Sequence, residues 1–128
     1  MPYLKKAGRR STTRTKTDNR NARVRVYSTE EWKRLRRGYL MQQPTCELCD
    51  RRGIITLAKD VHHARSFQLL RGAERLYYAY SPDNLIALCK ECHAWVHRHG
   101  PTYDTDLDAE AKAADETFGR GIIPNKAL

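Results

Sequence analysis

Long apolar runs are missing from this chain. No stretch approaches the roughly 20 apolar residues that span a bilayer. The opening MPYLKKAGRR has no apolar core of the kind a secretory signal requires. Those two absences exclude a membrane partner and point to a cytoplasmic setting. Aromatic core material is also short, with two Phe and two Trp in 128 residues. One compact domain plus tails is the most such a length allows. A core this thin sits near the size at which a staple is needed. Cysteine is scarce as well, with only four residues. In a reducing compartment these favour thiolate–metal bonds over the alternative of disulfides.

Acidic residues are nearly absent from the first third. Residues 1–40 hold thirteen Lys and Arg against three Asp and Glu, whereas the other 88 hold eleven against twelve. The whole basic excess therefore precedes the first cysteine. Such a charge attracts a polyanion, of which nucleic acid is the commonest. An anionic membrane surface fits less well, because the basic segment lacks apolar residues at helical spacing to insert.

This distribution divides the chain into a disordered basic arm (1–26), a central domain (27–100) and an acidic, partly helical tail (101–128). Ser28-Thr29-Glu30-Glu31 has the form of a capping box. Trp32, Leu35, Tyr39 and Leu40 then share a helical face, with Lys33, Arg34, Arg36 and Arg37 mostly opposite, and the helix stops before Pro44. Ile54 to Leu57 reads as a strand after an Arg52-Gly53 turn, and Asp60 to His63 as a second extended piece. Residues 64–81 read as a long loop with a short ordered piece. Ser81 to Asn84 is a turn, Leu85 to Leu88 a buried run, and Cys92 to about His99 a helix ended by Gly100-Pro101. The Ala-rich part of the tail suggests a short solvated helix, and Gly119 to Leu128 no regular structure.

The four cysteines form two CxxC pairs, Cys46/Cys49 and Cys89/Cys92. That spacing makes one tetrahedral zinc site with no position left for water, hence a structural ion. Its binding would supply folding energy on the order of 10–16 kcal/mol. Four histidines are set within the same span. In a strand, His62 and His63 point to opposite faces, so one can ligate while the other faces a substrate. His93 and His97 are four apart on one helix face, as paired ligands require. Neutral imidazoles bind a more open ion and exchange protons near pH 7. Tyr77, Tyr78 and Tyr80 read as core packed beside Trp95 more readily than as a base-stacking surface.

VHH at 61–63, Asn84-Leu85, LCKECH at 88–93 and His97 together resemble the HNH endonucleases. The Tyr27…Trp32…Leu35-Arg36 approach to the first CxxC is similar to compact phage and prophage members with a zinc knuckle. The resemblance covers about residues 27–99. It implies a small α+β fold, the ββα-metal finger, stapled here by the four-cysteine zinc. It implies His63 as general base, His62 and His93 as ligands of one catalytic divalent ion, and Asn84 as the residue fixing the loop that orients His63. His97 looks like the further helix ligand of colicin-type members. Many phage members carry Asp where His62 stands. Three imidazoles shift affinity toward Zn²⁺, Ni²⁺ or Co²⁺, away from Mg²⁺ and Mn²⁺.

The activity implied is hydrolysis of DNA phosphodiesters to 5′-phosphate products, with no small-molecule cofactor. Arg65 and Arg98 are candidates to hold the phosphate, and Arg34 and Arg37 to meet the duplex, each with a plain solvated side chain as the alternative. The setting implied is a bacterial or phage-infected cell, near phage packaging terminase subunits. A zinc-ribbon module that binds DNA without cutting it is the rival, but it leaves the histidines and Asn84 without a task.

Overall fold

The computed structural model describes residues 16–99 and 104–124. The expected Gly100-Pro101 stop, the first fifteen residues of the basic arm and the last four of the tail lie outside that range. Helix α1 (Lys16–Tyr27) comes first. Here the structure departs from the expected arm, which becomes helical at Lys16. Ala22 and Val26, one turn apart, are buried at 2% and 3% exposure. So narrow a stripe gains its stability from tertiary packing rather than propensity, which is why charge hid it.

Helix α2 (Glu30–Gln42) follows, and its cap is Thr29, whose Oγ1 accepts from the Trp32 N–H at 3.1 Å. Ser28, the expected cap, turns its hydroxyl back to the Val24 carbonyl at 2.6 Å and closes α1 instead. Trp32 is buried, and Leu35, Tyr39 and Leu40 pack on the same cluster as the periodicity requires. The helix ends before Pro44, as expected.

The first knuckle contains the single-turn helix α3 (Glu47–Arg51). Gly53 then takes φ +75°, a left-handed turn that a side chain would strain. Ile54–Leu57 is not the expected strand. Its backbone wraps the knuckle, with Cys46 N–H to Thr56 O and Ile54 N–H to Cys49 O, and only Leu57 bridges, to Thr45. Strands β1 (Asp60–His63) and β2 (Leu85–Leu88) form an antiparallel pair in which Val61 faces Ala87 and His62 faces Ile86. Between them, a nine-residue helix α4 (Gly72–Tyr80) occupies much of the expected loop, and a 3₁₀ turn (Pro82–Asn84) leads into β2. Helix α5 (Lys90–His99) completes the ββα unit.

Helix α6 (Leu107–Phe118) was expected to be solvated. It instead buries Glu110, Ala111 and Ala114 against the knuckle. The molecule thus has two cores, one on each side of the β pair. The first joins the four cysteines to Leu48, Leu88, Trp95 and α6. The second joins Ala22, Val26, Trp32, Val61, Phe67 and Leu85, with Tyr78 and Tyr80 at its edge. Those tyrosines therefore pack with Trp32, not beside Trp95, whose ring meets Phe118 edge-on at 5.2 Å. Among the described residues the architecture is a small α+β fold.

Candidate active site

Two short turns bring the cysteine pairs face to face. Cys49 Sγ lies 3.9 Å from Cys89 Sγ and 3.5 Å from Cys92 Sγ. All four sulfurs lie within 4.8 Å of one another, and all four residues are buried. Four sulfurs about 2.3 Å from one tetrahedral ion would stand about 3.8 Å apart, so the donor set fits a metal. In each CxxC a backbone N–H points at the first sulfur, Cys49 N to Cys46 Sγ at 3.4 Å and Cys92 N to Cys89 Sγ at 3.5 Å. Donors of this kind suit thiolates. Glu47, inside the first knuckle, accepts from the Ala87 N–H at 2.7 Å and from the Tyr39 hydroxyl at 2.7 Å. Its carboxylate covers the open edge of β2, where a third strand would otherwise be needed.

On the sheet face that carries Ile86 and Leu88, β1 and α5 place His62, His93 and His97 together, with one ring nitrogen of each within 4.8 Å of the others. His93 Nδ1 donates to Asp60 Oδ2 at 3.1 Å, which leaves the Nε2 lone pair of a neutral ring free. That Nε2 stands 2.9 Å from His97 Nε2. Two lone pairs do not face each other so closely without a proton or cation between them. Nitrogens about 2.0–2.1 Å from one ion are about 2.9–3.4 Å apart, so this trio also fits a metal. Burial first, and then the neighbouring imidazoles, push His62 down to about 3. Burial and His93 lower His97. Both rings are therefore neutral near pH 7, as ligation requires.

His63 points to the opposite face of β1, as strand alternation demands. It stacks on Trp32 at 4.8 Å, meets Phe67 edge-on at 4.7 Å, and has Tyr27 6.0 Å away. Its Nε2 donates to the Ala79 carbonyl at 2.8 Å. A carbonyl only accepts, so the neutral ring carries its hydrogen on Nε2 and a lone pair on Nδ1. Nδ1 is enclosed by the aromatic cage and has no partner. Burial lowers the ring's proton affinity, and the Ala79 bond partly opposes this.

Asn84, 8% exposed, ties down the loop that supplies that carbonyl. Its Oδ1 accepts from Arg65 N–H at 2.8 Å, and its Nδ2 donates to Arg65 O at 3.0 Å and Tyr78 O at 2.8 Å. Both ends of the 65–78 connection are thereby fixed next to Ala79.

The trio and His63 open onto one cleft of about 640 Å³, which Arg23 and Arg36 also line. The four arginines singled out from the sequence do not line it. Arg34, Arg37 and Arg98 are exposed, and the Arg65 guanidinium lies over the Tyr78 ring at 4.9 Å. Arg36 follows Trp32 by one helical turn, a spacing that marks it as cleft-facing, and it donates to Lys59 O at 2.9 Å. Asp60 precedes His62 by two residues on a strand and so shares its face. Both were recoverable from periodicity. Thr105, whose Oγ1 lies 2.9 Å from His62 Nε2, carries no such signal, because only the fold brings it to the site.

Residues 46–99 match the family model for HNH endonuclease. Among solved structures, the crystal structure of the HNH endonuclease of deep-sea thermophilic bacteriophage GVE2 with manganese ion is similar in fold. Its TM-score is 0.51 at 24% identity, over 64% of this chain and 88% of that one. No curated protein matches the chain. The fold is similar to that of the ββα-metal finger. Over residues 46–99 the chain is similar to the HNH endonuclease family.

Proposed function

We propose that the chain is a divalent-metal-dependent DNA endonuclease in which His63 is the general base. The observation that carries this reading is the Nε2–H to Ala79 bond, which leaves Nδ1 as the basic nitrogen. His63 takes the proton of the attacking water at Nδ1 once the Tyr27–Trp32–Phe67 cage opens toward the cleft. The developing imidazolium keeps its Nε2–H on the Ala79 carbonyl, and Asn84 holds that carbonyl in place. His62, His93 and His97 would hold the catalytic ion, with Asp60 orienting His93. When bound there, a divalent ion supplies charge stabilisation for the phosphorane-like transition state and its leaving oxygen. Arg23 and Arg36 face the same cleft and are the cations best placed to meet the scissile phosphate. The four cysteines hold a structural zinc.

Three imidazoles favour Ni²⁺, Co²⁺ or Zn²⁺ in affinity, whereas the similar phage enzyme was crystallised with manganese. Mn²⁺ therefore belongs beside Mg²⁺, Ni²⁺ and Zn²⁺ in any panel of ions supporting turnover. The 5′-phosphate products and a setting beside phage packaging terminase follow from the family resemblance.

Plasmid cleavage across that panel tests the reading, together with metal stoichiometry. The nuclease should hold a second, weaker ion beside its tightly held zinc. His63→Ala should lose about 10²–10⁴-fold in cleavage while keeping both the second ion and DNA affinity. Near-normal cleavage by that variant, or a single ion in the wild type, would sink the assignment.

A further inference from the structure

The match to the HNH family stops at residue 99, yet the chain returns to the site afterwards. Asp104 forms an antiparallel bridge with Arg65, and the Thr105 N–H donates to Ala64 O at 2.7 Å. These bonds lay the segment along the backbone that immediately follows His63. Asp106 then caps α6, its Oδ1 accepting from Asp108 N–H at 3.0 Å and Ala109 N–H at 3.3 Å. The helix itself is anchored to the core that holds the four cysteines. Arg51 pairs with Asp108 at 2.6 Å, and Arg52 pairs with Asp115 at 2.6 Å while donating to Gly119 O at 2.9 Å. Thr105 is therefore fixed from both sides, by a β bridge and by a capped helix docked on the cysteine cluster.

What this arrangement delivers to the histidines is one hydroxyl. Thr105 Oγ1 is 2.9 Å from His62 Nε2. His62 has three features of a ligand that needs such a partner. It is half-buried, its ring meets His93 and His97 edge-on at 5.4 and 5.2 Å, and, unlike His93, it has no carboxylate at hydrogen-bond distance among the described residues. The second torsion of an imidazole is broad, so an unsupported ring samples many orientations. An outer partner narrows that spread and fixes which nitrogen carries the hydrogen.

We propose that Thr105 is a positioning residue for the catalytic ion site, holding the His62 ring in its ligating orientation, and that the C-terminal segment 104–118 docks on the cysteine cluster to deliver it. The inference rests on the reading of His62, His93 and His97 as an ion site.

Calorimetric titration of Mn²⁺ into the full-length, zinc-loaded protein tests it. Outer partners of metal-bound imidazoles are worth about 10–100-fold in affinity. Thr105→Val keeps the shape and the backbone N–H and should weaken Mn²⁺ by that factor, with zinc content and thermal midpoint unchanged. Thr105→Ser restores the hydroxyl and should bring Mn²⁺ affinity back to within a few-fold of wild type. Wild-type affinity in Thr105→Val would overturn the proposal while leaving the ion site intact. Equal weakening in both variants would also overturn it, since the loss would then belong to packing. No Mn²⁺ binding by the wild type itself would overturn the ion-site reading and this inference with it.

Discussion

Asn84 makes more hydrogen bonds within the finger than any neighbouring side chain, and all three go to backbone. It uses one acceptor and both donors, so no smaller side chain can replace it. Asn84→Ala would leave two carbonyls and an N–H unpaired near the base, each costing about 1–3 kcal/mol where water cannot enter. Asn84→Asp keeps the acceptor but turns lone pairs onto the carbonyls of Arg65 and Tyr78. Both variants should release the Ala79 carbonyl from its place against His63. We expect cleavage to fall at least tenfold in each, expressed in kcat, with the second ion still bound. Unchanged kcat in a folded Asn84→Asp protein would show that the loop holds itself in place. The strand pair His62/His63 and the helical His93/His97 pair lie on elements whose periodicity fixes their direction, whereas Asn84, in the 3₁₀ turn, was marked only by the family resemblance. Thr105 and Glu47 act across the fold, from 43 and 40 residues away, and no local pattern encodes such a meeting.

The elements divide by how much of their stability is local. Strands β1 and β2 lie where alternation and turn signals place them, α2 is capped one residue later than its capping box suggests, and α5 starts at Lys90, two residues before Cys92. Helices α1 and α6 present short stripes of small apolar residues amid charge, Ala22 with Val26 and Ala111 with Ala114, and Ile54–Leu57 is largely β-branched yet leaves Ile55 87% exposed. In these three cases tertiary packing or the demands of the knuckle override local propensity. The buried half of the α6 contact is Arg52, whose side chain is fully inaccessible, against Asp115 at 32% exposure. Removing Asp115 would strand a guanidinium in the first core. A fully buried pair broken in this way costs about 3–5 kcal/mol. The partial exposure of Asp115 and the remaining bond to Gly119 O reduce this to about 2 kcal/mol. Asp115→Ala should therefore unfold at lower denaturant with an unchanged slope, whereas Asp108→Ala, at an exposed pair, should shift stability by less than about 1 kcal/mol. Equal effects of the two would mean that the helix is not held through Arg52.

Charge is organised over the whole molecule. The acidic residues of α6 are partly engaged with Arg51 and Arg52 at the knuckle, whereas Asp104 and Asp106 flank Thr105 at the cleft. The basic excess gathers at the other end of the chain, and α1 carries Arg23 to the cleft rim. Removing α1 would take Ala22 and Val26 out of the second core, so its phosphate contacts cannot be tested by deleting it. Residues 1–15 can be removed with Ala22 and Val26 retained. They hold five Lys and Arg and no acid. If about three of them reach phosphates, the salt slope on duplex DNA should drop by roughly 2.7 when they are deleted. Between ~50 and ~200 mM salt the full chain would then lose about 40-fold more affinity than a chain beginning at Lys16. Such contacts position a protein without reading bases, so any sequence preference should be the same in both. Cleavage should also survive, because every proposed ligand and the base lie beyond residue 45. Identical salt slopes for the two chains would assign these charges to a partner other than DNA. Loss of cleavage at saturating DNA would instead mean that they help to seat the scissile phosphate, and the Arg23 and Arg36 assignment would have to give way.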